Sequence, residues 1–138
     1  MKKMCDIASK WWADKCDGYT MHDNGAYDAT NALAMMIADI MNKPVSKATK
    51  QLFIEHLSAK IQNKLEKDGY NELYLDCDYS PCRILAEAAN EVGINLSNFP
   101  FKTGMSIDPK EKKIIVYDGY GAKPEVIYDE GMKWQHMG

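Results

Sequence analysis

The spacing of hydrophobic residues changes near residue 70, and this change constrains the fold more than any other feature of the sequence. Before it, apolar side chains recur every three or four residues, as on one face of a helix. Over residues 72–79 they alternate with polar ones, as in a half-buried strand. The predicted inward-facing residues of that strand are Leu73, Leu75, Cys77 and Tyr79. Helices followed by a sheet are typical of the α+β class.

Three helices are predicted before this change. The first covers residues 4–16, and the second covers residues 27–42, which are apolar nearly all round and therefore suit a central position. The third runs over residues 46–68, with Ser46 as its N-cap and Gly69 as its C-terminal stop. The predicted inward stripe of the third helix is Phe53 or Ile54, Leu57, Ile61 and Leu65.

A fourth helix and three more strands are predicted after the first strand. Ser80 suits the N-cap of the helix, Pro81 its first position, and Gly93 its end. The turn residues Pro109 and Gly119 then separate short strands, as in a meander. The predicted strands are 104–107, 112–118 and 123–128. We expect a single α+β domain over residues 1–138, with one mainly antiparallel four-stranded sheet.

The length and composition suit one domain in the cytoplasm. A chain of 138 residues buries enough surface to fold without cross-links. The start of the chain has no apolar run of the kind that a signal peptide contains, so we expect the protein to remain in the cytoplasm. Because the cytoplasm is reducing, the four cysteines are expected to be reduced thiols. The apolar stretch 32–41 is interrupted by Asp39 and is too short to span a membrane. We therefore expect a cytoplasmic protein that is not embedded in a membrane.

Charge is unevenly distributed along the chain. Residues 1–67 carry ten lysines and eight acidic residues, whereas residues 68–138 carry seven basic and twelve acidic residues. Duplex nucleic acid requires a concentrated basic surface, and Arg83 is the one arginine of the sequence. We therefore expect no duplex binding, while the acidic half can face a basic partner.

The segment 22–25 is a candidate ligand-binding site. It places His22, Asp23, Asn24 and Gly25 at the predicted start of a helix, where backbone N–H groups can bind a phosphate or carboxylate. Simple helix capping by Asp23 or Asn24 accounts for the same residues.

Tyrosines in the last third are the other candidate ligand-binding residues. Tyr117 and Tyr120, with Tyr128 nearby, can form an aromatic wall on which a base stacks, although tyrosines in a meander also pack across strands. Residues 119–121 are too short for a dinucleotide fingerprint and suit a hairpin turn. A pocket for a small nucleotide-like ligand would combine residues 22–25 with Arg83 and these tyrosines.

Catalytic chemistry is less well supported. Cys82 is predicted in the first turn of a helix, where a thiolate is favoured, but no spacing selects a base among His22, His56 and His136. A small buried cysteine is the alternative explanation. We expect no catalytic residue, and a binding protein rather than an enzyme.

No metal or cofactor is expected either. Asp76 and Asp78 lie on one side of the predicted strand, with Glu72 further along, and three carboxylates can hold a hard cation. The same residues also suit an exposed strand face kept polar against aggregation, which is the interpretation that we prefer. The cysteines lack the spacing of a zinc site.

Two segments suggest association with another chain. The methionine-rich residues 27–42 are more apolar than a small monomer easily covers, although burial inside the monomer is the interpretation that we prefer for them. Residues 130–138 contain Met132, Trp134 and Met137 without a regular period. The tail 130–138 is therefore a possible interaction surface, and a homo-oligomer is possible.

Four short segments carry a resemblance to other proteins: Trp11-Trp12-Ala13-Asp14-Lys15, His22-Asp23-Asn24-Gly25, Tyr79-Ser80-Pro81 and Tyr117-Asp118-Gly119-Tyr120-Gly121-Ala122. Through them the chain resembles small uncharacterised proteins of Firmicutes phages and prophages. The resemblance implies a counter-defence protein in the host cytoplasm, one that sequesters a nucleotide immune signal or occupies a host or defence protein. A thiol- or carboxylate-dependent hydrolase of such a signal, using Cys82 or Asp76 and Asp78, is the third hypothesis.

Overall fold

The computed structural model describes residues 1–16 and 45–130. The helices of this part are α1 (Lys2–Asp14), α2 (Lys47–Lys67) and α3 (Arg83–Val92), with a short 3₁₀ turn at Leu96–Asn98. The strands are β1 (Leu73–Cys77), β2 (Thr103–Asp108), β3 (Lys113–Tyr117) and β4 (Glu125–Asp129). The predicted α+β class is confirmed. The helix predicted over 27–42, the candidate residues 22–25 and the tail from residue 131 lie outside the described residues.

The four strands form one antiparallel sheet in the order β1-β2-β3-β4. Each strand therefore pairs with the next strand in the sequence. Helix α3 lies between β1 and β2 along the chain. The loop after β2 is closed by Asp108, whose Oδ1 accepts hydrogen bonds from the N–H groups of Lys110 and Glu111. The loop after β3 contains Gly119 and Gly121, both at positive φ. The predicted meander is thus confirmed.

Helix α2 begins and ends where its sequence signals predicted. The Oγ of Ser46 accepts a hydrogen bond from the N–H of Thr49, and Gly69 follows the helix with φ near +71°. The question between Phe53 and Ile54 is resolved, because Phe53 is fully buried and Ile54 is half-buried. The rest of the predicted stripe is buried as well: Leu57, Ile61 and Leu65.

Helix α3 begins two residues later than predicted. Cys82, rather than Ser80, is the N-cap, and Arg83, rather than Pro81, is the first helical residue. The cause is a β-bridge that pairs Pro81 with Cys77, the last residue of β1, so that Pro81 is not part of the helix. Cys82 is therefore not within the first turn, contrary to the prediction. The predicted end is confirmed, since Gly93 is the C-cap in the left-handed conformation.

The inward face of β1 was predicted correctly, but its length was not. Leu73, Leu75 and Cys77 are buried, whereas Tyr79 is 62% exposed. The strand ends at Cys77, and the chain turns there to form the bridge to Pro81, so the alternation no longer fixes which way residue 79 points.

One hydrophobic core joins the helices to one face of the sheet. Its centre is aromatic: the ring of Phe99 lies 6.4 Å from that of Trp12 and 6.0 Å from that of Phe53, between ring centroids. The inward-facing residues of the strands complete this core, namely Leu73, Leu75, Cys77, Met105, Ile107, Ile114 and Val116. Trp12 of α1 and Phe53 of α2 thus meet on a residue from the loop before β2.

The opposite face of the sheet, which we call the outer face, carries Tyr74 and Val126, 54% and 42% exposed. The ring of Tyr74 lies over Gly104 of the neighbouring strand. A Cβ on Gly104 would come within 2.1 Å of the Tyr74 hydroxyl oxygen, so the absence of a side chain there allows this position of the ring. Tyr117 is paired directly with Gly104 on the other side.

A hydrogen bond between helices ties α1 to α2. The Oγ of Ser58, which is buried, donates to Asp6 Oδ1 at 2.6 Å, and Lys2 binds the other oxygen at 2.8 Å. Burial alone would raise the pKa of Asp6, but the two hydrogen bonds outweigh it and lower the pKa from its ordinary value.

Replacement of Ser58 by alanine is expected to lower the free energy of unfolding at pH 7 by about 1 kcal/mol. Because the folded-state pKa of Asp6 is below its unfolded value, the contribution is present above the unfolded pKa and is lost as pH falls through the folded pKa. Urea titrations at a series of pH values from 7 downward give the free energy of unfolding of both proteins. The difference between the variant and wild type should stay constant down to about pH 4 and shrink below it. A difference that persists unchanged at lower pH would show that the Ser58 effect does not involve ionised Asp6.

Candidate functional site

A concave site lies beside the edge strand β1. It is a groove of about 660 Å³, which we call the basic groove. One wall is the last two turns of α2, the floor is Leu73–Leu75, and the other wall is the start of α3. Its lining holds four cationic side chains, Lys60, Lys64, Lys67 and Arg83, against the single carboxylate of Glu87. This volume is within the range of small-molecule sites.

Lys60 and Arg83 are partly neutralised by acidic residues of α3. Lys60 Nζ lies 2.8 Å from Glu91 Oε2 and 3.5 Å from Glu87 Oε2, while Arg83 Nε donates to Glu87 Oε1 at 2.8 Å. The hydrogen bond to Glu91 raises the pKa of Lys60, and the one from Arg83 lowers the pKa of Glu87. This network holds α2 and α3 together and fixes Glu87 between two cations.

Lys64 and Lys67, at the C-terminal end of α2, are more available to a ligand. Lys64 makes one exposed ion pair, with Asp68 at 3.3 Å, of a kind that contributes little and exchanges readily with water. Lys67 has no ion pair within 4 Å among residues 1–16 and 45–130. Both side chains lie at the end of a helix, where cations also suit the helix dipole.

The second wall ends in the N-terminus of α3. The side chain of its N-cap, Cys82, accepts no hydrogen bond from the backbone N–H groups in the first turn of α3. The backbone N–H of Cys82 itself donates to Asp76 O at 2.8 Å. Cys82, Arg83 and Ile84 all line the groove, so the positive end of the helix dipole adds to the charge of Arg83.

A second surface of interest is an aromatic cluster formed by Tyr79, Phe101, Lys102 and Tyr120. Tyr120 donates a hydrogen bond to the hydroxyl of Tyr79 at 3.2 Å, and this bond raises the pKa of Tyr120. Lys102 Nζ lies 4.7 Å from the Tyr79 ring centroid, and Phe101 meets that ring edge-on at 5.6 Å. Both tyrosines are more than 60% exposed although their rings are held in place.

The predicted ligand-binding residues that the structure describes fall in three places, whereas residues 22–25 lie outside the described part. Arg83 lines the basic groove, Tyr120 belongs to the aromatic cluster, and Tyr117 lies on the outer face. Tyr74 connects two of them, because it lines the groove and its ring lies over Gly104, the partner of Tyr117. Burial raises the pKa of Tyr74, and the nearby Asp76 and Tyr117 raise it further.

Two of the three acidic residues at and beside β1 have other contacts. Asp78 forms an ion pair with Lys102, and Glu72 accepts a hydrogen bond from Ser106 Oγ. In the part of the chain that the structure describes, no group of three histidine, cysteine or acidic side chains is placed to hold a metal ion.

A thiol catalyst is not assembled among the described residues. Cys82 is half-buried in the groove, whereas His56 is held by Glu91 Oε1 at 2.8 Å and is not part of the groove lining. The neighbouring thiol of Cys77 is buried, which raises its pKa to about 11 and keeps it protonated at neutral pH. His22 and His136, the other predicted bases, lie outside the described residues.

The three lysines of the groove are the residues that sequence reasoning missed. They lie on the face of α2 that the sequence predicted to be simply solvated. Their spacing of four and three residues places them in one row on the helix, which is a visible signal. What the sequence does not contain is the position of β1 and α3 opposite that row.

Comparisons with known proteins add no relative. No protein-family model matches the chain, and no curated protein matches it. No helix within residues 1–16 and 45–130 is long and apolar enough to cross a membrane.

Proposed function

We propose that the protein is a non-enzymatic binding protein that sequesters a small nucleotide-like anion in the basic groove. The observation that carries this proposal is the lining of the groove, where four cations face one carboxylate in a concave space of about 660 Å³. Lysine and arginine are the side chains with which proteins bind phosphates, arginine with the more directional hydrogen bonds.

The neighbouring aromatic surface supports a nucleotide over a simple anion. Tyr74 lies at the edge of the groove with 54% of its surface exposed, and its ring is set against Gly104. A base attached to a phosphate in the groove would extend over the edge strand and stack on this ring, which is a sequence-tolerant contact.

The biological role follows from the resemblance to phage proteins. A protein that binds a nucleotide without destroying it can remove an immune signal from the host cytoplasm when it is made in sufficient amount. Sequestration also agrees with the separation of Cys82 from His56, because among the described residues no thiol and base are paired for hydrolysis.

The direct test is to identify what the protein binds. Small molecules released from the denatured, purified protein are identified by mass spectrometry, and calorimetry measures binding of mononucleotides, cyclic nucleotides and ADP-ribose. We expect a bound nucleotide in one-to-one ratio, with about tenfold weaker affinity in Arg83→Gln. Lys47→Gln, an exposed lysine at the opposite end of α2, is the matched control and should bind like wild type.

Two results would overturn the proposal. Absence of any released species, together with no heat for any nucleotide, would exclude sequestration. Turnover of excess ligand by substoichiometric protein would show an enzyme instead, and loss of that turnover in Cys82→Ala or Asp76→Ala would identify the hydrolase of the third hypothesis.

The aromatic cluster favours a second candidate function, inhibition of a host or defence protein. Tyr79 and Tyr120 are exposed by 62% and 63%. Lys102 and Phe101 hold the ring of Tyr79, and a hydrogen bond to Tyr79 holds Tyr120. Rigid exposed tyrosines are frequent anchors of protein interfaces. Capture of a host protein from lysate by wild type but not by Tyr120→Ala would favour this function, and equal capture by both would exclude the cluster.

A further inference from the structure

We infer that Glu87 accepts a hydrogen bond from a ribose hydroxyl of the bound ligand, so that the basic groove selects ribonucleotides over deoxyribonucleotides. The inference rests on the proposed function and adds the sugar of the ligand to it. It comes from the presence of one carboxylate in a lining whose other charged side chains, among the described residues, are all cationic.

The side chains that line the basic groove divide into hydrogen-bond donors and acceptors. The four cations of the lining can only donate, and they suit a phosphate. Asn63 adds a neutral amide, which can do both. Glu87 adds an ionised carboxylate, which only accepts and which repels a phosphate. The part of the ligand that meets Glu87 must therefore be a neutral donor, such as a hydroxyl.

Glu87 is held in place but keeps capacity to accept another hydrogen bond. Its Oε1 accepts from Arg83 Nε at 2.8 Å, one helical turn away on α3. Its Oε2 lies 3.5 Å from Lys60 Nζ, which is long for a charged hydrogen bond, and Lys60 instead lies 2.8 Å from Glu91 Oε2. The side chain of Glu87 is 45% exposed. Oε2 is thus a fixed acceptor that a ligand in the groove can reach.

Arg83 determines which part of the ligand lies near this acceptor. Its Nε donates to Glu87, whereas its two terminal nitrogens remain donors for the phosphate of the proposed ligand. A phosphate bound there lies close to the Glu87 carboxylate, because both contact one guanidinium group. The sugar is the part of a nucleotide that is bonded directly to the phosphate, and its hydroxyls are neutral donors. In dinucleotide-binding folds, an acidic side chain near the phosphate site likewise binds a ribose hydroxyl.

The experiment compares nucleotides that differ by one hydroxyl. Calorimetry at constant ionic strength measures AMP, 2′-deoxy-AMP and 3′-deoxy-AMP, which share the base, the phosphate and the net charge. We expect AMP to bind wild type at least about tenfold more tightly than one of the two deoxynucleotides. In Glu87→Ala this preference should be lost, although removal of a negative charge should strengthen the binding of all three nucleotides.

Glu91→Ala is the matched control. Glu91 also contacts Lys60 from α3, but it is not part of the groove lining. This variant removes the same charge and should keep the preference of wild type for AMP. Because the three nucleotides carry equal charge, the ratio of their affinities within one protein isolates the contact between the carboxylate and the hydroxyl.

The outcomes separate this inference from the proposed function. If the three nucleotides bind wild type equally, or if the preference for AMP survives in Glu87→Ala, the inference is overturned while sequestration stands. Purine riboside 5′-phosphate, which lacks the amino group of adenine, tests the other donor of AMP. If Glu87 responds to loss of this amino group rather than of a hydroxyl, it contacts the base and the inference is overturned. If none of these mononucleotides binds, the inference also falls, and binding of cyclic nucleotides or ADP-ribose then decides whether sequestration stands.

Discussion

Replacement of Phe99 by alanine is expected to lower the free energy of unfolding by roughly 3–5 kcal/mol. Phe99 is 1% exposed, and its ring contacts those of Trp12 and Phe53. The substitution removes a large apolar side chain from the centre of the core and leaves a cavity beside Trp12 of α1 and Phe53 of α2. It also removes two aromatic pairs, each worth about 0.5–1.5 kcal/mol beyond burial.

The expected loss is large relative to the total stability of a domain of this size, which is about 5–15 kcal/mol. Phe99→Leu, which retains most of the volume, keeps the measurement possible if the alanine variant does not fold. Phe101→Ala is the matched control, since Phe101 is only half-buried and lies in the aromatic cluster. Urea denaturation followed by circular dichroism gives the free energy of unfolding of each variant. Equal losses for the two alanine variants would contradict the central position of Phe99.

The boundaries of α2 show where sequence reasoning succeeded. Ser46 and Gly69 are local signals, because a cap and a left-handed stop depend only on the backbone beside them. The inward face of β1 was also predictable, since alternation over five residues reports directly which side is buried.

The start of α3 shows why a local signal can fail. Ser80 and Pro81 form a good capping pair, but Ser80 lies in a bend and Pro81 forms a bridge back to Cys77. The Cys82 N–H donates to Asp76 O beside this bridge, and the helix starts at Arg83. The prediction for Cys82 changed with it, because its position relative to the helix was inferred from Ser80.

The candidate site was predictable only in part. Arg83 was selected because it is the one arginine, and the structure places it in the basic groove. Tyr117 and Tyr120 were expected to act together. Instead, Tyr117, at the end of β3, lies on the outer face, while Tyr120 lies in the turn beside Tyr79. The lysines of α2 could not be assigned to a site from the sequence, because a row of lysines on an amphipathic helix becomes a binding wall only when another element stands opposite.

Reversal of charge at Lys64 and Lys67 of the basic groove is expected to weaken nucleotide binding strongly without unfolding the protein. In Lys64→Glu/Lys67→Glu, two attractive contacts to phosphate become repulsive. A hydrogen bond to a charged group contributes about 1.5–3 kcal/mol, so loss of two such bonds weakens binding by at least about 100-fold. Both side chains are exposed, and the new carboxylates face Asp68 at the end of α2, so stability should fall by at most about 1 kcal/mol.

Net charge alone must be separated from the position of the charge. Lys47→Glu/Lys123→Glu changes the net charge by the same amount at two exposed positions away from the groove and should bind nearly as tightly as wild type. Calorimetry at two salt concentrations adds a second criterion. Salt screens the exposed cations, so a higher salt concentration should weaken nucleotide binding by wild type more than binding by Lys64→Glu/Lys67→Glu. The difference in affinity between these two proteins should therefore narrow. If both double variants lose affinity equally, the ligand responds to the overall charge of the protein, and the basic groove is not its binding site.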